Sequence, residues 1–129
     1  MMDKVNSDIS DSDLFVRISK TEECRRKIDD YEHTYQFEVD GKPEFYVELN
    51  RGVLKVGTGE YPGEYTKVSL VKTDSGTLRA ILKGKLRPLD ASTEGKWVIR
   101  ARNYSGELLY TLLRIGREIV IGDLLAAQA

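Results

Sequence analysis

The chain has 129 residues, the size of one ordinary domain that buries its own hydrophobic core. Its 20 lysines and arginines nearly balance 21 aspartates and glutamates, and a formal net charge of −1 does not predict a nucleic-acid partner. The single cysteine excludes an internal disulfide and no apolar run predicts a signal peptide or membrane span, so we expect a cytoplasmic protein without stable membrane insertion.

The N-terminal third begins with a polar segment and continues with helical spacing. Residues 1–12 are rich in Asp and Ser, so we expect a flexible N-terminus there. From Leu14 to Tyr31 the apolar residues fit one side of a helix, but the polar run between them predicts two helical pieces. Thr21, followed by two glutamates, is the expected N-cap of the second piece.

After His33, apolar residues recur at every second position. Apolar and polar residues alternate over 35–39 and again over 45–49, which predicts two half-buried strands. Asp40 and Gly41 between them predict a tight hairpin turn. Further strands are expected over 54–58, 66–72 and 96–102, which gives a five-stranded, mainly antiparallel sheet.

Two helices are expected around the last strand. Thr73 or Asp74 is the expected cap of the first, and Pro88 is expected to end it. Ser105 is the expected cap of the second, which has a broad apolar face, and Gly116 is expected to close or kink it. The pattern as a whole predicts an α+β fold with helices covering one face of the sheet.

An apolar extension is predicted over residues 117–129. It carries more apolar surface than a solvated tail normally exposes, so we expect it to pack on the domain or on a partner. A lid over a ligand site and a homodimer contact are the two interpretations. The apolar residues concerned are Ile119, Ile121, Leu124 and Leu125.

One stretch of the chain carries a set of motifs in a fixed order. They are Gly84-Lys85-Leu86-Arg87-Pro88, the second pair Gly95-Lys96, the strand 97–101 and the helix 107–115. As a set they resemble the core of a sterol carrier protein, in the type-2, non-specific lipid transfer branch, and the resemblance predicts a lipid-binding domain over residues 13–116. The resemblance implies an apolar tunnel between helices and sheet for a fatty acid, acyl-CoA or sterol-like lipid.

The candidate ligand-binding residues are apolar. Leucines at helical spacing are more often core than ligand lining, and the resemblance favours a shared role in which a lipid chain completes the core. These residues are Leu78, Ile81, Leu82, Trp97, Ile99, Leu108, Leu109 and Leu112. A ligand headgroup is expected to meet Lys83, Lys85, Arg87 or Arg102, if these cations ring the opening.

Catalysis is disfavoured by the residues present. The single histidine, His33, is interpreted as an ordinary surface or boundary residue, and one His with one Cys is too few for a typical metal site. We therefore expect no catalytic residues, no metal and no cofactor. The leading hypothesis is non-enzymatic binding or transfer of a hydrophobic ligand; the alternative is an accessory or protein-interaction module of the same fold with a closed cavity.

Overall fold

The computed structural model describes residues 11–64, 67–101 and 106–128. Most of the segment predicted to be flexible, together with Ser105 and Arg102, lies outside these residues, although the first helix already begins at Asp11. In chain order the elements are α1 (Asp11–Ser19), α2 (Glu22–Lys27), β1 (Glu32–Val39), β2 (Lys42–Asn50), β3 (Val53–Thr58), β4 (Val68–Thr73), α3 (Ser75–Leu82), α4 (Pro88–Thr93), β5 (Trp97–Ala101) and α5 (Gly106–Gln128).

The five strands form one mixed sheet in the order β3-β2-β1-β4-β5. Pairing is antiparallel except between the central strands β1 and β4, which run parallel with Thr34 opposite Val68. The predicted α+β class and mainly antiparallel sheet are therefore confirmed. The parallel pair requires a long connection, and the β2–β3 hairpin lies within it.

Tight turns fix the register of the two hairpins. Asp40 and Gly41 have φ angles of 54° and 82°, so both central residues are left-handed as a type I′ turn requires. Arg51 and Gly52 repeat this geometry between β2 and β3, with φ angles of 45° and 90°. The turn predicted at Asp40-Gly41 is confirmed.

The helices cover one face of the sheet through an aromatic cluster. Phe37 of β1 stacks on Phe45 of β2, with ring centroids 4.6 Å apart and an interplanar angle of 8°. Phe15 of α1 packs against both rings at 5.5 and 5.9 Å. Because such pairs add about 0.5–1.5 kcal/mol beyond their area burial, this cluster anchors α1 on the sheet.

On the opposite face, a loop packs over part of β1 and β2, and the buried side-chain amide of Gln36 holds it in place. The Gln36 Nε2 donates to the carbonyl oxygens of Phe45 and Gly59, both at 3.1 Å, and its Oε1 accepts the Tyr61 backbone N–H. Nearby, the Tyr46 ring occupies the space a side chain at Gly57 would take. The loop is thus fixed to β1 and β2.

Side chains and glycines mark the ends of the short helices. Thr21 caps α2 as predicted, and Asp74 caps α3 by accepting the Thr77 N–H at 2.8 Å. Gly84 ends α3 with a φ of 75°, its N–H donating to Ile81 and that of Lys85 to Ala80, which is the Schellman pattern.

The second Gly-Lys pair has the same geometry as the first. Gly95 donates to Ser92 and Lys96 to Ala91, so both pairs of the predicted motif are helix C-terminal caps. The expectation that Pro88 ends a helix is wrong, because Pro88 is the first residue of α4. Proline suits that position since the N–H it lacks would have no intrahelical acceptor.

Helix α5 is continuous for 23 residues, so the expectation that Gly116 closes or kinks it is wrong. A Cβ at Gly116 would lie 3.0 Å from Ile18 Cδ1 and 3.4 Å from Leu14 Cδ2. The glycine is therefore a point of close helix approach, which lets α1 and α5 pack together. Residues 117–128 of the predicted apolar extension form the second half of this helix.

Two glycines in α5 give a matched test of this packing. Gly122→Ala should raise the free energy of unfolding by about 1 kcal/mol, because nothing described lies within 4 Å of the added Cβ and alanine favours helix. Gly116→Ile should lower it by about 1–3 kcal/mol, since the side chain must enter the α1 contact. Urea unfolding measures both, and a Gly116→Ile variant as stable as wild type would contradict the close packing.

Candidate functional site

A cavity of about 370 Å³ opens between the turn that joins α3 to α4 and the outer side of α5. The turn supplies one wall and a stripe of α5 the other. The lining residues are Ile81, Gly84, Leu86, Arg87, Pro88, Leu89, Tyr110, Leu113, Arg114 and Arg117.

The cavity combines a buried apolar interior with an exposed apolar rim. Ile81 and Leu113 are 4% exposed and belong to the core, so the cavity reaches the main hydrophobic cluster. Leu89 is 68% exposed and Tyr110 36% exposed, although both also line the cavity. An apolar ligand in this position would contact the core at one end and the rim at the other.

Three arginines line the cavity, and they differ in their partners. Arg87 donates to both carboxylate oxygens of Asp90, at 2.9 and 3.2 Å. Arg114 joins Glu23 of α2 and Glu118 of its own helix, and its hydrogen bond lowers the pKa of Glu23. Arg117 forms no ion pair with any residue that the structure describes. Of the three cavity arginines, it is therefore the one whose guanidinium has no carboxylate partner among the described residues.

The Schellman turn positions Arg117 at the cavity. A Cβ at Gly84 would lie 2.6 Å from Cγ and Cδ of Arg117. The glycine therefore serves two purposes, because it accepts the positive φ of the turn and leaves room for the arginine stem. The first Gly-Lys pair of the sequence motif thereby contributes directly to the cavity wall.

The eight predicted ligand-binding residues lie together in the core. Seven are buried, and Ile99 is partly buried and packs against them. Of the eight, Ile81 lines the cavity described above. Of the predicted headgroup contacts Arg87 lines it too, whereas Lys83 and Lys85 lie on the adjoining turn. Ligand binding by the core residues stays a prediction.

The sequence reasoning missed the α5 wall of the cavity. Leu113 and Arg114 follow Tyr110 by three and four residues, and Arg117 follows them by four and three, which places all four on one helical face. That spacing was the available signal. It was obscured because Leu108, Leu109 and Leu112 form a stronger apolar stripe on the neighbouring face.

Trp97 carries an unusual buried donor. The side chain is 1% exposed, and its indole Nε1–H has no hydrogen-bond partner among the described residues. A buried donor without an acceptor costs about 1–3 kcal/mol. Trp97 lies at the start of β5 with its ring 6.5 Å from that of Phe37, so this donor belongs to the core that the predicted tunnel would cross.

His33 is buried, and the interpretation of it as a surface or boundary residue is wrong. It is 5% exposed, and its Nε2 lies 2.6 Å from Oγ of Ser69, which is fully buried. Desolvation by burial, followed by the charge of Lys67, lowers the pKa of His33. The residue pairs with a neighbour inside the sheet. Within the described ranges, no cluster of His, Cys, Asp and Glu has a metal-binding arrangement.

The comparisons with known proteins identify the architecture. No protein-family model and no curated protein matches the sequence. A crystal structure of sterol carrier protein 2 superposes with a TM-score of 0.61 over 84% of this chain and 94% of that chain, at 19% identity. The chain has the sterol carrier protein fold. The predicted resemblance is confirmed at the level of fold.

Two further solved structures share this fold. A ubiquinone synthesis protein, UbiJ-SCP2, matches with a TM-score of 0.59 over 90% of this chain and 95% of its own length, at 13% identity. The sterol carrier protein domain 2 of Helicoverpa armigera matches with a TM-score of 0.56 over 80% of each chain, at 23% identity. In the part of this chain that the structure describes, no helix has the length and hydropathy needed to cross a bilayer.

Burial of His33 predicts a pH dependence of stability. Its pKa in the folded protein lies below the ordinary value of 6.5, so the unfolded chain takes up the proton first as pH falls. The free energy of unfolding should therefore decrease as pH drops below about 6.5. Chemical denaturation of wild type and His33→Gln between about pH 8 and pH 5 measures this contribution. Parallel stability curves for the two proteins would show that His33 is not its source.

Proposed function

We propose that the chain binds or transfers a hydrophobic ligand with an anionic or polar head, such as a fatty acid, an acyl-CoA or a sterol-like lipid. The observation that carries the proposal is the cavity, which joins the apolar core to an arginine-lined rim within a sterol carrier fold. Its volume of about 370 Å³ lies in the range of small-molecule sites.

The free energy of binding would come mainly from the hydrocarbon part of the ligand. Each buried methylene gains about 0.8 kcal/mol, so a chain laid against Ile81, Leu86 and Leu113 needs no specific polar contact. The head would meet Arg117, which has no described carboxylate partner to give up. Arg87 and Arg114 would contribute less, because each already bonds to an acid.

The predicted tunnel would extend this site into the core. We propose that the ligand chain passes from the cavity along Ile81 to the residues Leu78, Leu82, Trp97, Ile99, Leu108, Leu109 and Leu112. The unpartnered Trp97 indole supports this path, since an oxygen atom of the ligand would supply the missing acceptor.

We propose a non-enzymatic role in the cytoplasm. The one histidine is 5% exposed, with its Nε2 2.6 Å from the Ser69 hydroxyl, and burial lowers its pKa, which disfavours it as a general acid or base for a substrate. Burial raises the pKa of the Cys24 thiol to about 11, so the cysteine behaves as a core residue and not as a nucleophile. A fold without disulfides suits a reducing compartment.

An accessory role is the second candidate, and the end of α5 favours it. Ile121, Leu124 and Leu125 are 45%, 59% and 62% exposed, which is a large apolar surface for an isolated helix end. UbiJ-SCP2, which shares this fold, is a ubiquinone synthesis protein. In this alternative the core is closed, and the helix end joins a partner protein or a second copy.

Cavity binding is tested by a substitution that fills it. Leu86→Trp should weaken the binding of a fluorescent fatty acid at least tenfold, because the larger ring takes the volume meant for the chain. Leu54→Trp is the matched control, since Leu54 is also partly buried but packs on the core from β3. Fluorescence titration gives both dissociation constants, and equal losses in the two variants would remove the cavity as the binding site.

The extent of the tunnel is tested with Trp97, the only tryptophan of the chain. A ligand that reaches the core should change the Trp97 emission, because its oxygen or chain alters the environment of the indole. Native mass spectrometry before and after organic extraction shows whether a lipid is bound. Saturation of the cavity without any change in emission would place the ligand outside the tunnel, and the absence of binding by every lipid tested would favour the accessory role.

A further inference from the structure

Exposed apolar side chains are concentrated on the side of the molecule where the cavity opens. The described residues include nine large apolar side chains with substantial exposure, and five of them lie at the cavity or along the adjoining part of α5. These five, together with the cavity residue Arg117, define what we call the docking face: Leu89, Tyr110, Arg117, Ile121, Leu124 and Leu125.

Helix geometry makes this face continuous. Tyr110, Arg117, Ile121 and Leu124 follow one another at intervals of seven, four and three residues, so they share one side of α5. Since the helix rises 1.5 Å per residue, Leu124 lies roughly 10 Å beyond Arg117 along the axis. The other side of the helix is occupied, because Gly116 contacts α1 and Asp123 bonds to Arg17.

The charge of this region is positive although the whole chain is almost neutral. Over residues 84–90 and 110–125 every acid is paired: Asp90 with Arg87, Glu118 with Arg114, and Asp123 with Arg17. Lys85 and Arg117 in the same segments form no ion pair with described residues. Two cations therefore remain to attract an anionic surface beside the exposed leucines.

We propose that the docking face binds the surface of a membrane rich in anionic lipids, with α5 lying in the plane of the headgroups. Leu89, Ile121 and Leu124 would enter the boundary between headgroups and acyl chains, as the apolar side of an interfacial helix does. Lys85 and Arg117 would meet lipid phosphates and carboxylates. The cavity mouth then faces the bilayer.

A second copy of the chain fits this face less well. A symmetric dimer would bring the same surface of both protomers together, and Arg117 of each would approach the cations of the other. Like charges across an interface oppose association. An anionic lipid surface satisfies the apolar side chains and the unpaired cations together.

Sedimentation with lipid vesicles tests the proposal on the full chain. The protein should bind vesicles of phosphatidylcholine and phosphatidylserine in equal parts, and much less to phosphatidylcholine alone. Binding should weaken as salt is raised, since screening shortens the range of the attraction. Replacing Leu124 and Leu125 together by serine should weaken partitioning at least tenfold, because the inserted apolar area is lost.

The matched controls use an exposed residue elsewhere and a second measurement. Val53 of β3 is 62% exposed, as is Leu125, and Val53→Ser should bind vesicles as wild type does. The double serine variant of Leu124 and Leu125 should still bind the fluorescent fatty acid, because neither residue lines the cavity, and this separates vesicle binding from ligand binding in the cavity.

Two results would overturn the assignment. Equal loss of binding by Val53→Ser and by the double serine variant of Leu124 and Leu125 would show that the face is not specific. A dimer in the absence of vesicles that the Leu124 and Leu125 substitutions dissociate, with no vesicle binding by wild type, would assign the face to a second copy.

Discussion

The close approach of α1 and α5 at Gly116 is the constraint on which the rest of the arrangement depends. It holds Leu14 and Ile18 against the middle of the long helix and thereby sets which side of α5 is left outside. The ion pairs that flank it, Arg17 with Asp123 and Arg114 with Glu23, are partly exposed, so solvent screens their attraction and they stabilise the fold little. Packing at Gly116 therefore stabilises the contact between α1 and α5 more than these ion pairs do.

Different kinds of interaction hold the elements that pack on the two faces of the sheet. Helices and phenylalanines cover one face. On the other face, Gln36 hydrogen-bonds to the loop at Gly59 and Tyr61, and the Tyr46 ring packs on Gly57. Both the NH₂ group and the oxygen of the Gln36 side-chain amide have hydrogen-bond partners, so its burial leaves no unpaired polar group that would cost stability. Trp97 is the contrast on the helix side, because its indole donor is left without a described acceptor.

Local features of the sequence predicted much of the fold. The Asp40-Gly41 hairpin, the caps at Thr21 and Asp74 and the alternating strands each depend on neighbouring residues, and the structure has all of them. The parallel pairing of β1 with β4 joins residues more than 30 positions apart, and no local pattern encodes it. The predictions of a surface or boundary position for His33 and of a helix end or kink at Gly116 were wrong for the same reason, because partners from distant segments decide both features.

The chemistry of the cavity favours affinity over discrimination. Its interior groups are apolar, and a pocket of that kind changes affinity by only about 1–3 kcal/mol for each methylene gained or lost. Strong rejection of a wrong ligand requires buried polar groups that the wrong ligand would leave unpaired. Arg87 and Arg114 of the lining do not meet this requirement, because each already bonds to a carboxylate. Among the buried polar side-chain atoms that the structure describes, the Trp97 indole Nε1–H, deeper in the core, is the one without a partner. Under the proposed function, chain length would change affinity by this limited amount for each methylene, and rejection of a lipid by polar chemistry would depend on whether a ligand oxygen reaches Trp97.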